Sequence, residues 1–124
     1  MTIRNSKRKV HLKLIIFFCD EINIDLPDFN LIVQVLDVTF EDVYENIIFE
    51  TKENFDVERI VKSKLYYEFN VELERSNKIY SIFILVDIDK NGKISIGDYI
   101  SMDRHDFTTD SVHNISINVY KVTS

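Results

Sequence analysis

Hydrophobic and polar residues alternate at the beginning of KVHLKLIIFFC, residues 9–19, near the start of the chain. The apolar positions of this stretch share one side: Val10, Leu12, Leu14, Ile16 and Phe18. Successive side chains of a β-strand point to opposite faces, so a period of two indicates a strand with one buried face. Residues 65–73 show the same alternation and predict another strand of this kind.

Other apolar runs predict strands at 29–38, 46–52, 79–88 and 114–122. The run at 29–38 is apolar on both sides and the run at 79–88 is the most apolar in the chain, which indicates central positions in a sheet. Residues 53–63 lack a clear period, and there we expect a loop, an edge strand or one helical turn.

The strand spacing and the composition both favour an all-β fold. About seven short strands at intervals of roughly 10–15 residues are typical of a β-sandwich or barrel. The 124 residues include eighteen Ile, nine Phe and six Tyr but no Ala, and β-branched and aromatic side chains suit pleated, half-buried surfaces. We predict a single domain at 9–124 behind a flexible basic tail at 1–8.

Charge and cysteine content exclude several classes of protein. The net charge of -6 argues against nucleic-acid binding, although residues 1–13 carry +5. Such a basic segment can contact phosphates or lipid headgroups; we favour a solvated tail that leads into the first strand. The single cysteine, Cys19, excludes an internal disulfide.

Targeting signals are not recognisable in the sequence. The apolar run LIIFF is shorter than the roughly 7–15 residues of a signal peptide core, and Phe17 and Phe18 stand where a lipobox needs small side chains. No stretch approaches the ~20 apolar residues of a transmembrane helix. These features favour a cytoplasmic location or leave it unspecified.

An acidic stretch, DIDKNGKISIGD at 87–98, matches the oxygen-ligand spacing of an EF-hand calcium loop. The candidate metal ligands are Asp87, Asp89, Asn91, Lys93 through its carbonyl, Ser95 and Asp98. Gly92 stands where the loop must curl. The close carboxylates would repel one another unless a cation, or Lys90 and Lys93, neutralised them.

A metal-free turn is the alternative for the same stretch. Asn91-Gly92 between apolar runs is the strongest short-range signal for a β-hairpin. Asp98 is also one methylene shorter than the usual final Glu of a calcium loop, and a strand rather than a helix precedes Asp87. The sequence leaves calcium or no cofactor as the two choices.

Catalytic motifs are absent from the sequence. The three histidines are far apart, and only His105 falls in a predicted loop beside acids, Asp103 and Asp106. We read these residues as surface polar groups and predict that the protein is not an enzyme.

The order of motifs resembles the YbaY/YscW-type lipoproteins over roughly residues 9–122. The resemblance lies in VHLKLIIFFCDEINIDLPDFNLIVQVLDVTFEDV, FNVELERSNKIYSIFILVDI and DYISMDRHDFTTDSVHNISINVYKV. The positions matching the family pattern L-x-V-x-L-x-D-V-S are Leu31, Val33, Val35, Asp37, Val38 and Thr39. The chain departs from the family in lacking a lipoprotein signal and in carrying the acidic stretch 87–98.

The resemblance implies a transthyretin-like (prealbumin-like) Greek-key β-sandwich without known catalytic residues. It also implies a role as a secretion-associated chaperone or pilotin. From the residues themselves we predict a non-enzymatic module that binds a protein or peptide along an exposed strand edge. The pilotin-like role and a small enzyme built on the His105 loop are the alternatives, and the sequence specifies neither the partner nor an oligomeric state.

Overall fold

The computed structural model describes residues 7–39, 46–74, 77–110 and 114–124. Within them the chain forms eight strands and one turn of 3-10 helix at Val57–Arg59. The strands are β1 Lys7–Phe18, β2 Asp28–Asp37, β3 Asn46–Asp56, β4 Lys64–Glu74, β5 Tyr80–Asp87, β6 Tyr99–Ser101, β7 Asp106–Phe107 and β8 Asn114–Lys121. The predicted all-β class is confirmed. No helix in the described ranges is long and apolar enough to span a membrane.

The strands join into one continuous sheet in the order β3-β2-β5-β6-β8-β1-β4, with β7 added to β5. In the described residues β1 and β8 run parallel, and the other paired strands are antiparallel. The sheet curls until its two end strands, β3 and β4, approach each other, which makes a nearly closed barrel-like shape. These pairings do not establish the transthyretin-like strand order.

The interior of the curled sheet holds one apolar core. The predicted inward face of β1 is buried: Val10, Leu12, Leu14, Ile16 and Phe18. β5 is buried over nearly its whole length, as its strongly apolar sequence predicts. Full burial of a Leu or Ile side chain contributes about 1.5–3 kcal/mol, so this face provides much of the driving force for closure.

The outer face of β1 explains most of the basic residues near the start of the chain. Three lysines of β1 lie opposite three glutamates of β4: Lys7–Glu74, Lys9–Glu72 and Lys13–Glu68. Opposite charges at directly paired positions stabilise a strand pair. Lys7 and Arg8, which we placed in the flexible tail, therefore belong to β1, and the rest of the predicted tail, 1–6, lies outside the described residues.

Residues 53–63 combine all three structures considered for them. β3 continues to Asp56, the 3-10 turn follows, and a tight turn at Lys62 and Ser63 leads into β4. The short strands β6 and β7 were not predicted. At three and two residues, they are too short to show a period.

Candidate functional site

The acidic stretch forms the loop between β5 and β6. Asp87 is the last residue of β5, and Asp98 immediately precedes β6. Val86 pairs with Tyr99, so the two ends of the loop are held together by the sheet. Asn91-Gly92 lies at the tip of this long loop and does not make the two-residue turn of a β-hairpin, because the pairing of β5 with β6 stops at Val86.

Three predicted ligands meet within this loop. One carboxylate oxygen from each of Asp87, Asp89 and Asp98 lies within 4.8 Å of the others. Asp87 and Asp98 are completely buried, at 0% exposure, while Asp89 is exposed. The spacing of acidic residues in the sequence was therefore enough to identify three carboxylates that the fold brings together.

Backbone amides hold the two buried carboxylates. Gly92 donates its N–H to Asp87 Oδ2 at 2.8 Å, and its φ of 77° lies in the region that glycine adopts without strain. Asp98 accepts from the N–H of Ile88 at 2.8 Å and of Ser95 at 2.9 Å. Asp87 Oδ1, in contrast, is buried and has no hydrogen-bond partner among the described residues.

The remaining predicted ligands form a network on the same loop. Asn91 Oδ1 accepts the N–H of Lys93 at 2.9 Å, and Asn91 Nδ2 donates to Ser95 Oγ at 2.7 Å. The Ser95 hydroxyl donates to the Lys93 carbonyl at 3.3 Å. The loop therefore gathers carboxylate, amide, hydroxyl and carbonyl oxygens in one small region.

The lysines of the loop do not neutralise these carboxylates. Lys90 forms an ion pair with Asp28 at the start of β2 instead. In the described part of the chain, no salt bridge joins Asp87, Asp89 or Asp98 to a basic side chain. Burial, reinforced by the neighbouring Asp89, raises the pKa of Asp87, and burial with the nearby carboxylates raises the pKa of Asp98.

The acids beside His105, which we read as surface polar groups, have other hydrogen-bond partners. Arg104 Nε donates to Asp106 at 2.6 Å, and the Tyr120 hydroxyl donates to Asp103 at 3.3 Å. His105 Nε2 is buried and has no hydrogen-bond partner within the described residues. The acids beside His105 are therefore engaged by other side chains.

A second candidate site lies where β3 and β4 face each other, which we call the β3–β4 seam. In the described residues the two strands form no backbone ladder with each other, and aromatic side chains bridge them. Phe49 stacks on Phe69 with 5.5 Å between ring centroids, and Phe55 meets Tyr67 edge-on at 5.8 Å. Each strand thus keeps one edge free of main-chain pairing, as our prediction of exposed strand edges required.

A cavity of about 640 Å³ opens at this seam. Its walls combine apolar and charged side chains: Lys13, Leu14, Ile15, Glu53, Phe55, Arg59, Tyr66, Tyr67, Glu68 and Asn114. Tyr66 is 59% exposed, and the Arg59 guanidinium lies 5.0 Å above the Phe55 ring. Sequence reasoning missed this cavity, because its walls come from four strands, β1, β3, β4 and β8, and from the 3-10 turn, and their closeness depends on how the sheet curls.

The fold is shared with a solved secretion-system protein. The chain is similar to an alternative pilotin from the type II secretion system of Vibrio cholerae, with a TM-score of 0.65 and 17% sequence identity. The match covers 94% of this chain and 100% of the pilotin. At this identity the likeness demonstrates a common fold, and it agrees loosely with the resemblance to pilotin-like lipoproteins.

The structural likeness to the pilotin is not accompanied by a match at the level of sequence. No protein-family model matches the chain, and no curated protein sequence matches it.

Proposed function

We propose that this protein is a non-enzymatic binding module with a pilotin-like role, which holds a segment of a secretion-system protein. The observation that carries the proposal is the likeness to the Vibrio cholerae pilotin, whose whole length matches this chain. Because function resides in sites rather than in folds, the proposal also needs a surface that can hold a partner.

The β3–β4 seam supplies such a surface. The free edges of β3 and β4 offer unpaired N–H and C=O groups, and an extended segment can add to such an edge as a further strand. The cavity beside them, of about 640 Å³, can take side chains of that segment against Phe55, Tyr66 and Tyr67. Main-chain hydrogen bonds would supply affinity, and the cavity would supply selectivity.

Tyr66 is the residue to test, because it is large, exposed and part of the cavity wall. Tyr66→Glu places a charge on the cavity wall, and an apolar group of the partner would remove water from that charge on binding. We therefore expect a loss of affinity of at least about tenfold. The measurement is a pull-down with the tagged chain from the membrane fraction of the source organism. Recovered proteins are identified by mass spectrometry.

Met102→Glu is the matched control, since Met102 is 71% exposed and does not line the seam cavity. We expect the wild type and Met102→Glu to enrich the same secretion-system component and Tyr66→Glu to lose it. If no secretion-system component is enriched, the proposed role is wrong. If Tyr66→Glu and Met102→Glu behave alike, the role survives but the seam is not the binding site.

A further inference from the structure

The loop between β5 and β6 brings three carboxylates close together. Two of its three neighbouring carboxylates, Asp87 and Asp98, are completely buried. Buried charges are retained in proteins when they are paired or when they coordinate a metal ion. Lys90, which could pair with them, is engaged by Asp28 at the start of β2.

Asp87 Oδ1 provides independent evidence for a missing partner. Its side chain belongs to the carboxylate cluster and is fully buried, while its other oxygen, Oδ2, is fixed by the Gly92 N–H. Oδ1 itself has no hydrogen-bond partner among the described residues. A buried oxygen without a donor is costly, and a bound cation would satisfy it.

The chemistry of the donors selects the cation. The groups gathered in the loop are carboxylate, amide, hydroxyl and carbonyl oxygens, with no histidine or cysteine in residues 87–98. Oxygen donors suit hard cations, and a flexible ring of six or more of them suits Ca²⁺ better than Mg²⁺. We propose that Asp87, Asp89 and Asp98 bind one Ca²⁺, completed by oxygens of Asn91, Lys93 and Ser95.

The position of this loop assigns the ion a structural task. β6 has only three residues, yet it connects β5 on one side to β8 on the other. The end of the loop is also tied to the residue that follows β8, because Val122 donates its N–H to the Asp98 carbonyl at 2.7 Å and Gly97 donates its N–H to the Val122 carbonyl at 2.9 Å. Calcium would therefore fasten the two halves of the sheet at their narrowest connection.

Calcium binding is measured by isothermal titration of protein stripped with a chelator, and by thermal unfolding followed by circular dichroism. We expect one Ca²⁺ per chain and a rise in Tm of roughly 8 °C at a hundredfold excess over Kd, because the ion binds only the folded state. Mg²⁺ at the same concentration should give a much smaller rise. Terbium luminescence sensitised by Tyr99, next to Asp98, reports occupancy of the same loop.

Asp89→Asn tests the site without disturbing buried groups, since Asp89 is exposed. We expect it to fold normally and to weaken calcium binding at least tenfold, whereas Asp25→Asn, an exposed acid outside the loop, leaves binding unchanged. The proposal is overturned if the wild type shows no calcium-dependent rise in Tm at millimolar Ca²⁺, or if Asp89→Asn binds as tightly as Asp25→Asn. Neither result would bear on partner binding at the seam.

Discussion

Asp37, at the end of β2, is a partly buried carboxylate whose charge is favoured by its neighbours. Burial alone would raise its pKa, but hydrogen bonds from Thr39 and Lys78 outweigh this effect and lower the pKa below its ordinary value. Thr39 donates from Oγ1 at 2.6 Å and from its N–H at 3.0 Å, and Lys78 Nζ donates at 3.0 Å. Asp37 therefore connects β2 to the segment that precedes β5.

Asp37→Asn should lower the free energy of unfolding by about 1–2 kcal/mol at pH 7, because hydrogen bonds to a charged acceptor are the stronger ones. A carboxyl group with a lowered pKa in the folded state stabilises fully above its unfolded pKa, and this contribution is lost as the pH falls through the folded pKa. The difference between wild type and variant should shrink below about pH 4. Urea unfolding of both proteins between pH 7 and pH 3 measures it; a constant difference would contradict the argument.

Strand prediction succeeded wherever an element was long enough to show its period. Five of the alternating or apolar runs correspond to β1, β2, β4, β5 and β8 within one or two residues at each end. β3 runs four residues beyond its predicted end, because residues 53–56 continue the pairing with β2 although only Phe55 among them is apolar. β6 and β7 are held by their neighbours in the sheet rather than by a pattern of their own.

The turn before β4 contains backbone conformations that its residues do not favour. Lys62 and Ser63 have φ values of 53° and 63°, in the left-handed region. They form a two-residue connection in which Val61 and Lys64 exchange backbone hydrogen bonds of 2.9 and 3.0 Å. Such turns prefer Asn-Gly, because a residue with a Cβ atom is strained at positive φ.

Ser63→Gly should therefore raise the free energy of unfolding by roughly 0.5–1 kcal/mol, since relief of strain exceeds the added entropy of the unfolded chain. Ser116→Gly provides the matched control, because Ser116 lies exposed within β8, where glycine should destabilise by a similar amount. Urea unfolding of the two variants measures both effects. Equal destabilisation by both substitutions would show that the turn is not strained.

For the whole molecule, sequence reasoning predicted contacts that are close along the chain and missed those that depend on closure. The carboxylates of Asp87, Asp89 and Asp98 could be grouped because a twelve-residue loop keeps them together. The seam could not be foreseen. β3 and β4 are consecutive strands that a meander would pair, yet the sheet places them at opposite ends of its strand order.

The continuity of the sheet depends on the parallel pairing of β1 with β8, two strands that are far apart in the sequence. Ile16 of β1 pairs with Ile117 of β8, and both side chains are fully buried in the core. Ile117→Ala should lower the free energy of unfolding by about 2–5 kcal/mol through lost burial and the cavity left behind.

Ile96→Ala is the control for that substitution. Ile96 is 73% exposed, so its truncation should change stability by less than about 0.5 kcal/mol. Urea unfolding followed by far-ultraviolet circular dichroism and by tyrosine fluorescence should give coincident transitions for both variants. If Ile117→Ala costs no more than Ile96→Ala, β8 does not contribute to the common core.

The parallel pairing of β1 with β8 has a consequence for how the polypeptide is made. While a ribosome synthesises the chain, β1 can meet β4 early, but its other neighbour, residues 114–121, emerges about a hundred residues later. Contacts so distant along a chain slow folding, and an open strand edge invites aggregation in the meantime. The nascent chain therefore keeps one edge of β1 unpaired until residues 114–121 have emerged, and a folding helper that shields this edge would improve its yield.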